Sequence, residues 1–301
     1  MRQSTRGRLS VIDVVLRPQA RQKRRRQALA AIMLLLLVSV GLQLGASRRP
    51  SEAGVARRSP LVRIQVTSCP VPARDYAGTP YSPRVAPATL RLPASLAPPP
   101  NARIFGTWFM PGQVSYLLGP ASATCQAGLA SADGGEGMMA TPVSDRSESV
   151  TMTIRAGGVG PSTDLACPYI PAVRAADEVL RRGHTFCAHP AADVIRQIPT
   201  GTASVYAAAV FVPAGVKDPG IEGSGDGIDP VIALYTAWAG SDAASGQMIA
   251  CTLASGQRDI CAASLKFFLA TQSSIRTQMS AANLAKMAEG LSSFLAGQDI
   301  R

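Results

Sequence analysis

The chain is 301 residues long and 47% hydrophobic, so it is neither wholly disordered nor too short for a buried core, and it has room for one anchored domain or two small ones. Its 30 basic against 19 acidic residues give a formal charge of +11, a balance that would point to a polyanion partner if it were spread over a folded surface. Nine basic residues (Arg2, Arg6, Arg8, Arg17, Arg21, Lys23, Arg24, Arg25, Arg26) and one acid, Asp13, precede residue 27, which leaves +3 for everything beyond and sets nucleic-acid binding aside.

Residues 27–47 carry no charge between Arg26 and Arg48 and show no polar face before Gln43. As a helix rising about 1.5 Å per residue, the run is about 31 Å long, which matches a bilayer hydrocarbon core of about 30 Å. The spacing predicts a transmembrane helix. The dense Arg/Lys cluster at residues 21–26 places the tail, 1–26, in the cytoplasm and the body outside; Arg48, Arg49, Arg57 and Arg58 weaken this contrast without reversing it. A cleaved signal peptide is the rival reading, with Gly45-Ala46-Ser47 as its small-residue site. Both the basic region and the apolar run exceed that pattern. The residues around Arg25-Arg26 fit a twin-arginine signal poorly, and no cysteine follows at lipoprotein spacing. Gly41 and Gly45 form a G-x-x-x-G that would let two such helices approach as a homodimer. The apolar stretch Leu9–Leu16 reads as part of a floppy tail that only enforces topology, with docking on the inner leaflet or on a partner as the alternative.

Residues 48–60 read as a stalk, and 61–301 as the extracytoplasmic domain. Leu61–Thr67 alternates apolar and polar side chains like a half-buried strand. The stretch 70–100 holds nine prolines, too many for a helix or a central strand, and is expected to be irregular or polyproline-like. Further strands are predicted at Val114–Leu118, Val150–Arg155, Ser204–Val212, Val231–Trp238 and Met248–Leu253 from β-branched and aromatic content bounded by Gly or Pro. Helices are predicted at Pro171–Arg182, with Pro at the first turn and Gly183 beyond, and at Ala191–Ile198 before Pro199. At the C-terminus Leu265, Phe268, Leu269, Ile275 and Met279 recur at helical spacing after a cap at Asp259. Ser280 caps a second helix whose apolar face is Leu284, Met287, Leu291, Phe294 and Leu295, closed by Gly297. The class is α+β: a mostly antiparallel sheet with helices packed on one side.

All six cysteines, Cys69, Cys125, Cys167, Cys187, Cys251 and Cys261, fall after the apolar run, where an even count reads as disulfides. Loop geometry favours Cys251–Cys261 and Cys167–Cys187, leaving Cys69–Cys125. The alternative use of a cysteine is zinc at His184, Cys187 and His189, but that spacing matches no standard zinc pattern. Asp218, Glu222, Asp226 and Asp229, spaced by glycines, could wrap a calcium ion; the spacing lacks the bidentate acid of an EF-hand, and a polar turn between strands is the better reading. The glycines of 157–160 form no nucleotide fingerprint. No G-x-S-x-G, H-E-x-x-H or S-x-x-K occurs, and three lysines and two histidines are the few general bases outside the membrane. No catalytic residue, cofactor or metal is therefore expected. The expected function is a single-pass membrane protein whose outer domain binds, with another envelope protein as partner. The alternative is a cell-wall or glycan hydrolase built on paired acids.

Overall fold

The computed structural model describes residues 60–72, 85–110, 113–129, 135–145, 147–156, 165–180, 187–221, 224–225, 227–239 and 244–298. The tail, the apolar run with Gly41 and Gly45, the stalk up to residue 59, the 157–160 glycines, His184, Glu222 and Asp226 lie outside the described residues. Among the described residues no helix is long and apolar enough to cross a membrane. The chain divides into two compact units, Met1–Arg58 and Ser59–Arg301, and everything below concerns the second.

Two sheets form it. The smaller has the order β2-β1-β3-β4, from β1 (Leu61–Ser68), β2 (Thr89–Pro93), β3 (Ala102–Met110) and β4 (Gln113–Pro120). All its pairs are antiparallel except β1 with β3. The larger is wholly antiparallel in the order β5-β6-β7-β11-β10-β9-β8, from β5 (Ala123–Leu129), β6 (Gly135–Pro142), β7 (Ser149–Ala156), β8 (Val194–Gln197), β9 (Val205–Val212), β10 (Val231–Ala239) and β11 (Ala244–Thr252). The helices are α1 (Pro171–Leu180), α2 (Arg258–Thr271), α3 (Ser273–Gln278) and α4 (Ala281–Gly297).

Side-chain pattern decides which faces are covered. In β7, Val150, Met152 and Ile154 are buried while Thr151, Thr153 and Arg155 are half-buried, the alternation of a strand with one face in the core. β9 and β10 are apolar nearly throughout and buried on both faces. One face joins the principal core, where Ile232, Leu234 and Ile249 meet Leu265, Phe268, Leu291 and Phe294 of α2 and α4. The other forms a second core: Val210, Val231, Ala233 and Tyr235 under Ile170 and Val173 at α1. Strand β4 lies against β6 and β7, and α2 packs on β4, β11 and α4. The sheets approach so closely at Gly119 that a Cβ there would sit 2.8 Å from the Ala140 Cβ, a separation no side chain tolerates. The hydroxyl of Ser264 lies 2.7 Å from the carbonyl oxygens of both Leu118 and Ile260, tying α2 to β4.

The six cysteines pair as Cys69–Cys125, Cys167–Cys187 and Cys251–Cys261, with Cα separations of 5.2, 5.5 and 5.6 Å. The first staples β1 of the small sheet to β5 of the large one, the second ties the foot of α1 to the segment before β8, and the third joins β11 to α2.

Several expectations are corrected. The helix expected at Ala191–Ile198 is the edge strand β8, because Val194 and Ile195 pair with Phe211 and Val210 and hydrogen bonds to a neighbouring strand outweigh local helix preference. Helices do not pack on one side alone, since α1 covers the face opposite α2 and α4, and the single expected sheet is two. Asp259 is not a cap but lies in the first turn of α2 after Gln257, where its charge favours the helix N-terminus. The helix expected to reach Met279 breaks at Gln272, whose extended backbone (φ −67°, ψ 115°) separates α2 from α3. The proline-rich stretch includes β2, which obeys the rule that confines proline to sheet edges. Ser280 does cap α4, its hydroxyl oxygen accepting the Asn283 N–H at 3.2 Å.

Candidate ligand groove

The C-terminal helices and the small sheet leave a groove of about 740 Å³ between them. Its floor is apolar: Leu90 and Leu92 of β2, Leu96 in the 3-10 turn that follows, Leu269 of α2 and Leu284 of α4. Alternation in β2 aims Leu90 and Leu92 toward the core side, and the short Ala285, Ala288 and Ser292 along α4 keep its wall low. A volume of this size falls in the range of small-molecule sites, which are mostly apolar with a few polar groups.

The polar groups of the groove share one sign. Arg91, Lys266 and Arg276 line it and are exposed, and its wall contains no carboxylate. Directly across the β1–β2 ladder from Arg91 stands Arg63, also exposed. Like charges opposite one another in an antiparallel pair are unfavourable, and alternation puts both arginines on the sheet face opposite Leu90 and Leu92, with Arg63 outside the groove wall. Tyr116 adds a phenol to the wall, and burial raises its pKa above the ordinary value of 10.0, so it remains a hydrogen-bond donor at neutral pH. Leu61, the first residue of β1, lies at the same rim and is 64% exposed.

Two smaller depressions also lie among the described residues. One of about 530 Å³ runs along residues 197–207, and one of about 490 Å³ lies on the open face of β5 and β6 beside Thr124, Gln126, Met139 and Thr141. Neither wall contains a carboxylate or a basic side chain.

The residues singled out by the sequence play other parts. Asp218 is buried and saturated: its carboxylate accepts the Tyr169 hydroxyl, the Gly220 N–H at 2.9 Å and the Ala191 N–H at 2.7 Å. The Tyr169 ring stacks on Tyr235 with centroids 4.2 Å apart, and the Tyr235 hydroxyl donates to the Gly220 carbonyl at 2.9 Å. Burial, followed by the bond to Asp218, holds the Tyr169 phenol far above its ordinary range, and burial does the same to Tyr235. This network fastens the loop after β9 onto the second core and offers no free carboxylate to a cation. Asp229 instead belongs with Asp145 and Glu148. The buried Glu148 accepts the Ala254 N–H at 3.1 Å, and its pKa is raised, chiefly by burial and further by the charges of Asp145 and Asp229. The hydroxyl and amide of Ser147 pull exposed Asp145 the other way. Cys187 spends its sulfur on the bridge to Cys167, which removes the thiolate that a zinc site with His184 and His189 would need. Among the described residues no group of three or more His, Cys, Asp or Glu side chains is arranged to hold a metal ion.

Sequence reasoning did not single out Arg63, Arg91, Lys266 or Arg276. They come from four elements, and no spacing along the chain links them; the available signal was the arginine in each of two strands later found side by side. No protein family, curated protein or solved structure matches the chain, so the site rests on its own geometry.

Proposed function

We propose that the chain is a single-pass protein of the cell membrane, tail inside and disulfide-stapled domain outside, whose domain binds a ligand or partner through the groove between β2, α2 and α4. The observation that carries this reading is the groove itself: an apolar floor under a rim with three cations and no carboxylate. The three bridges agree with an oxidising compartment, and the uncharged run 27–47 supplies the anchor. The hydrolase alternative needs two carboxylates facing one cleft; among the described residues, the three depressions named above have no carboxylate in their walls.

Two measurements test the proposal. The protein should pellet with membranes and resist carbonate extraction, while external protease on wall-stripped cells removes nearly everything beyond the tail. A soluble form beginning near Arg48 would replace the anchor with a signal peptide. In the same membranes, a photo-crosslinking amino acid at Ser292, on the groove wall, should trap a partner that one placed on the exposed Glu178 of α1 does not. Equal trapping at both positions would remove the groove from the account.

A further inference from the structure

We infer that the groove between β2, α2 and α4 takes a long-chain fatty acid, with the aliphatic chain along the leucine floor and the carboxylate held by Lys266 and Arg276. The inference rests on the groove-binding proposal and deepens it by naming the ligand class.

The polar side of the groove offers donors and positive charge without a counter-ion. Lys266 of α2 and Arg276 of α3 line it, both are exposed, and among the described residues neither side chain has an ion-pair or hydrogen-bond partner. The Tyr116 hydroxyl, a donor at neutral pH, likewise has no partner among the described residues. Two of the wall's aliphatic hydroxyls are already spent on their own helices, Thr271 on the Phe267 carbonyl and Ser292 on the Ala288 carbonyl, each at 2.8 Å. Arg91 takes no part, because its side chain turns to the face of β2 opposite Leu90 and Leu92. A wall with two free cations, a free phenol and no carboxylate selects an anionic acceptor.

The rest of the wall selects an aliphatic chain. Leu61, Leu90, Leu92, Leu96, Leu269 and Leu284 converge from five elements of the chain, and Leu61 is left 64% exposed. The short Ala285 and Ala288 on α4 leave room above them. A chain laid along these leucines removes apolar surface of both partners from water, the main source of affinity in mostly apolar sites of this volume. Carboxylate is the head that fits, since the planar fork of Arg276 and the ammonium of Lys266 can share its two oxygens. Its small size leaves most of the 740 Å³ to the chain.

The test uses a detergent-free lysate of cells that express the full chain. It is irradiated with a long-chain fatty acid bearing a diazirine on its chain or, in a parallel sample, with the methyl ester of the same probe, and labelled peptides of the chain are mapped. Segments 90–96, 269–271 and 284–292 should be labelled several-fold more by the acid. Lys266→Ala with Arg276→Ala should bring the acid down to the level of the ester while leaving the thermal unfolding temperature nearly unchanged, since both side chains are exposed. Ala288→Trp, which fills the groove from α4, should remove the label from these segments; if that variant fails to fold, the double cation variant decides. Equal labelling by acid and ester, label concentrated outside the groove segments, or a preference that survives the double variant would each overturn the inference. So would stronger displacement of the probe by an unlabelled alkyl phosphate than by the unlabelled fatty acid, which would assign the groove to a phosphate head. A protein adduct from the Ser292 crosslinker with no fatty-acid label in the groove would overturn the ligand class and leave the groove-binding proposal standing. No trapping at Ser292 together with absent groove labelling would defeat both.

Discussion

Replacing both cysteines of one bridge by alanine removes a crosslink without leaving a stray thiol, and the three bridges differ mainly in the loop each closes. The loops span 56 residues for Cys69–Cys125, 20 for Cys167–Cys187 and 10 for Cys251–Cys261. If a crosslink acts by restricting the unfolded chain, closure entropy at 25 °C corresponds to about 4.2, 3.3 and 2.7 kcal/mol in that order. All six sulfurs are buried, so each double variant also loses packing; that term should be largest for Cys251 and Cys261, which are 0% and 2% exposed. The two contributions therefore oppose each other across the series. If chain entropy governs, Cys69→Ala/Cys125→Ala should cost about 1.5 kcal/mol more than Cys251→Ala/Cys261→Ala, the difference between the closure terms for their loops. Urea unfolding of the full-length protein in a neutral detergent measures this, with the fluorescence of the two half-buried tryptophans, Trp108 and Trp238, as probe. Midpoints should fall in the order of loop size. A Cys251/Cys261 variant as costly as the Cys69/Cys125 variant, with equal denaturant slopes, would refute the entropic reasoning and assign the stabilisation to sulfur packing in the core.

Glu148→Gln keeps an oxygen for the Ala254 N–H and removes a buried charge. Because the folded pKa of Glu148 lies above its ordinary value of 4.5, the folded state binds more protons between those two values, and wild-type stability should fall as pH rises through that window. The variant should be the more stable at pH 7 and indistinguishable below about 4; a constant difference across pH would contradict the assignment. Gly119→Ala places a methyl group 2.8 Å from the Ala140 Cβ and should cost about 1–3 kcal/mol by chemical denaturation, whereas Gly128→Ala, with open space around it, should be nearly neutral. Asp218→Ala removes the partner of the buried Tyr169 hydroxyl, worth about 1–3 kcal/mol when left unsatisfied, along with those of the less buried Ala191 and Gly220 amides, and should lower the melting temperature. Calcium or chelator should leave the wild-type melting curve unmoved. A calcium-dependent rise would return the acidic glycine loop to consideration as a cation site.

Features governed by local chemistry were readable along the chain. Val150, Met152 and Ile154 alternate with threonines and so declare β7; Pro171 opens α1; Ser280 offers its hydroxyl to Asn283 wherever the rest of α4 packs. Bridge connectivity was legible for a related reason: close cysteines meet with little loop entropy, so assigning Cys251–Cys261 and Cys167–Cys187 left one remaining pair. Strands β5 and β6 escaped notice because their Ala- and Gly-rich residues have little strand preference of their own, and they are held by pairing with each other and with β7. Strand β3 was hidden by Gly106, which reads as a breaker but sits where a Cβ would lie 2.7 Å from a Val66 methyl carbon.

Charge asymmetry, the uncharged run, the paired cysteines and the α+β class were readable along the chain, because each follows from composition or from periodicities of a few residues. That there are two sheets, that α1 covers the face opposite α2 and α4, and that Leu90 and Leu92 turn into a groove while Arg91 and Arg63 turn away from it became visible only in three dimensions. Strand register sets this last arrangement. A shift of one residue between β1 and β2 would turn Arg91 to the other face and carry Leu90 and Leu92 out of the groove. That alignment is set by what the whole sheet buries, not by any interval along the chain.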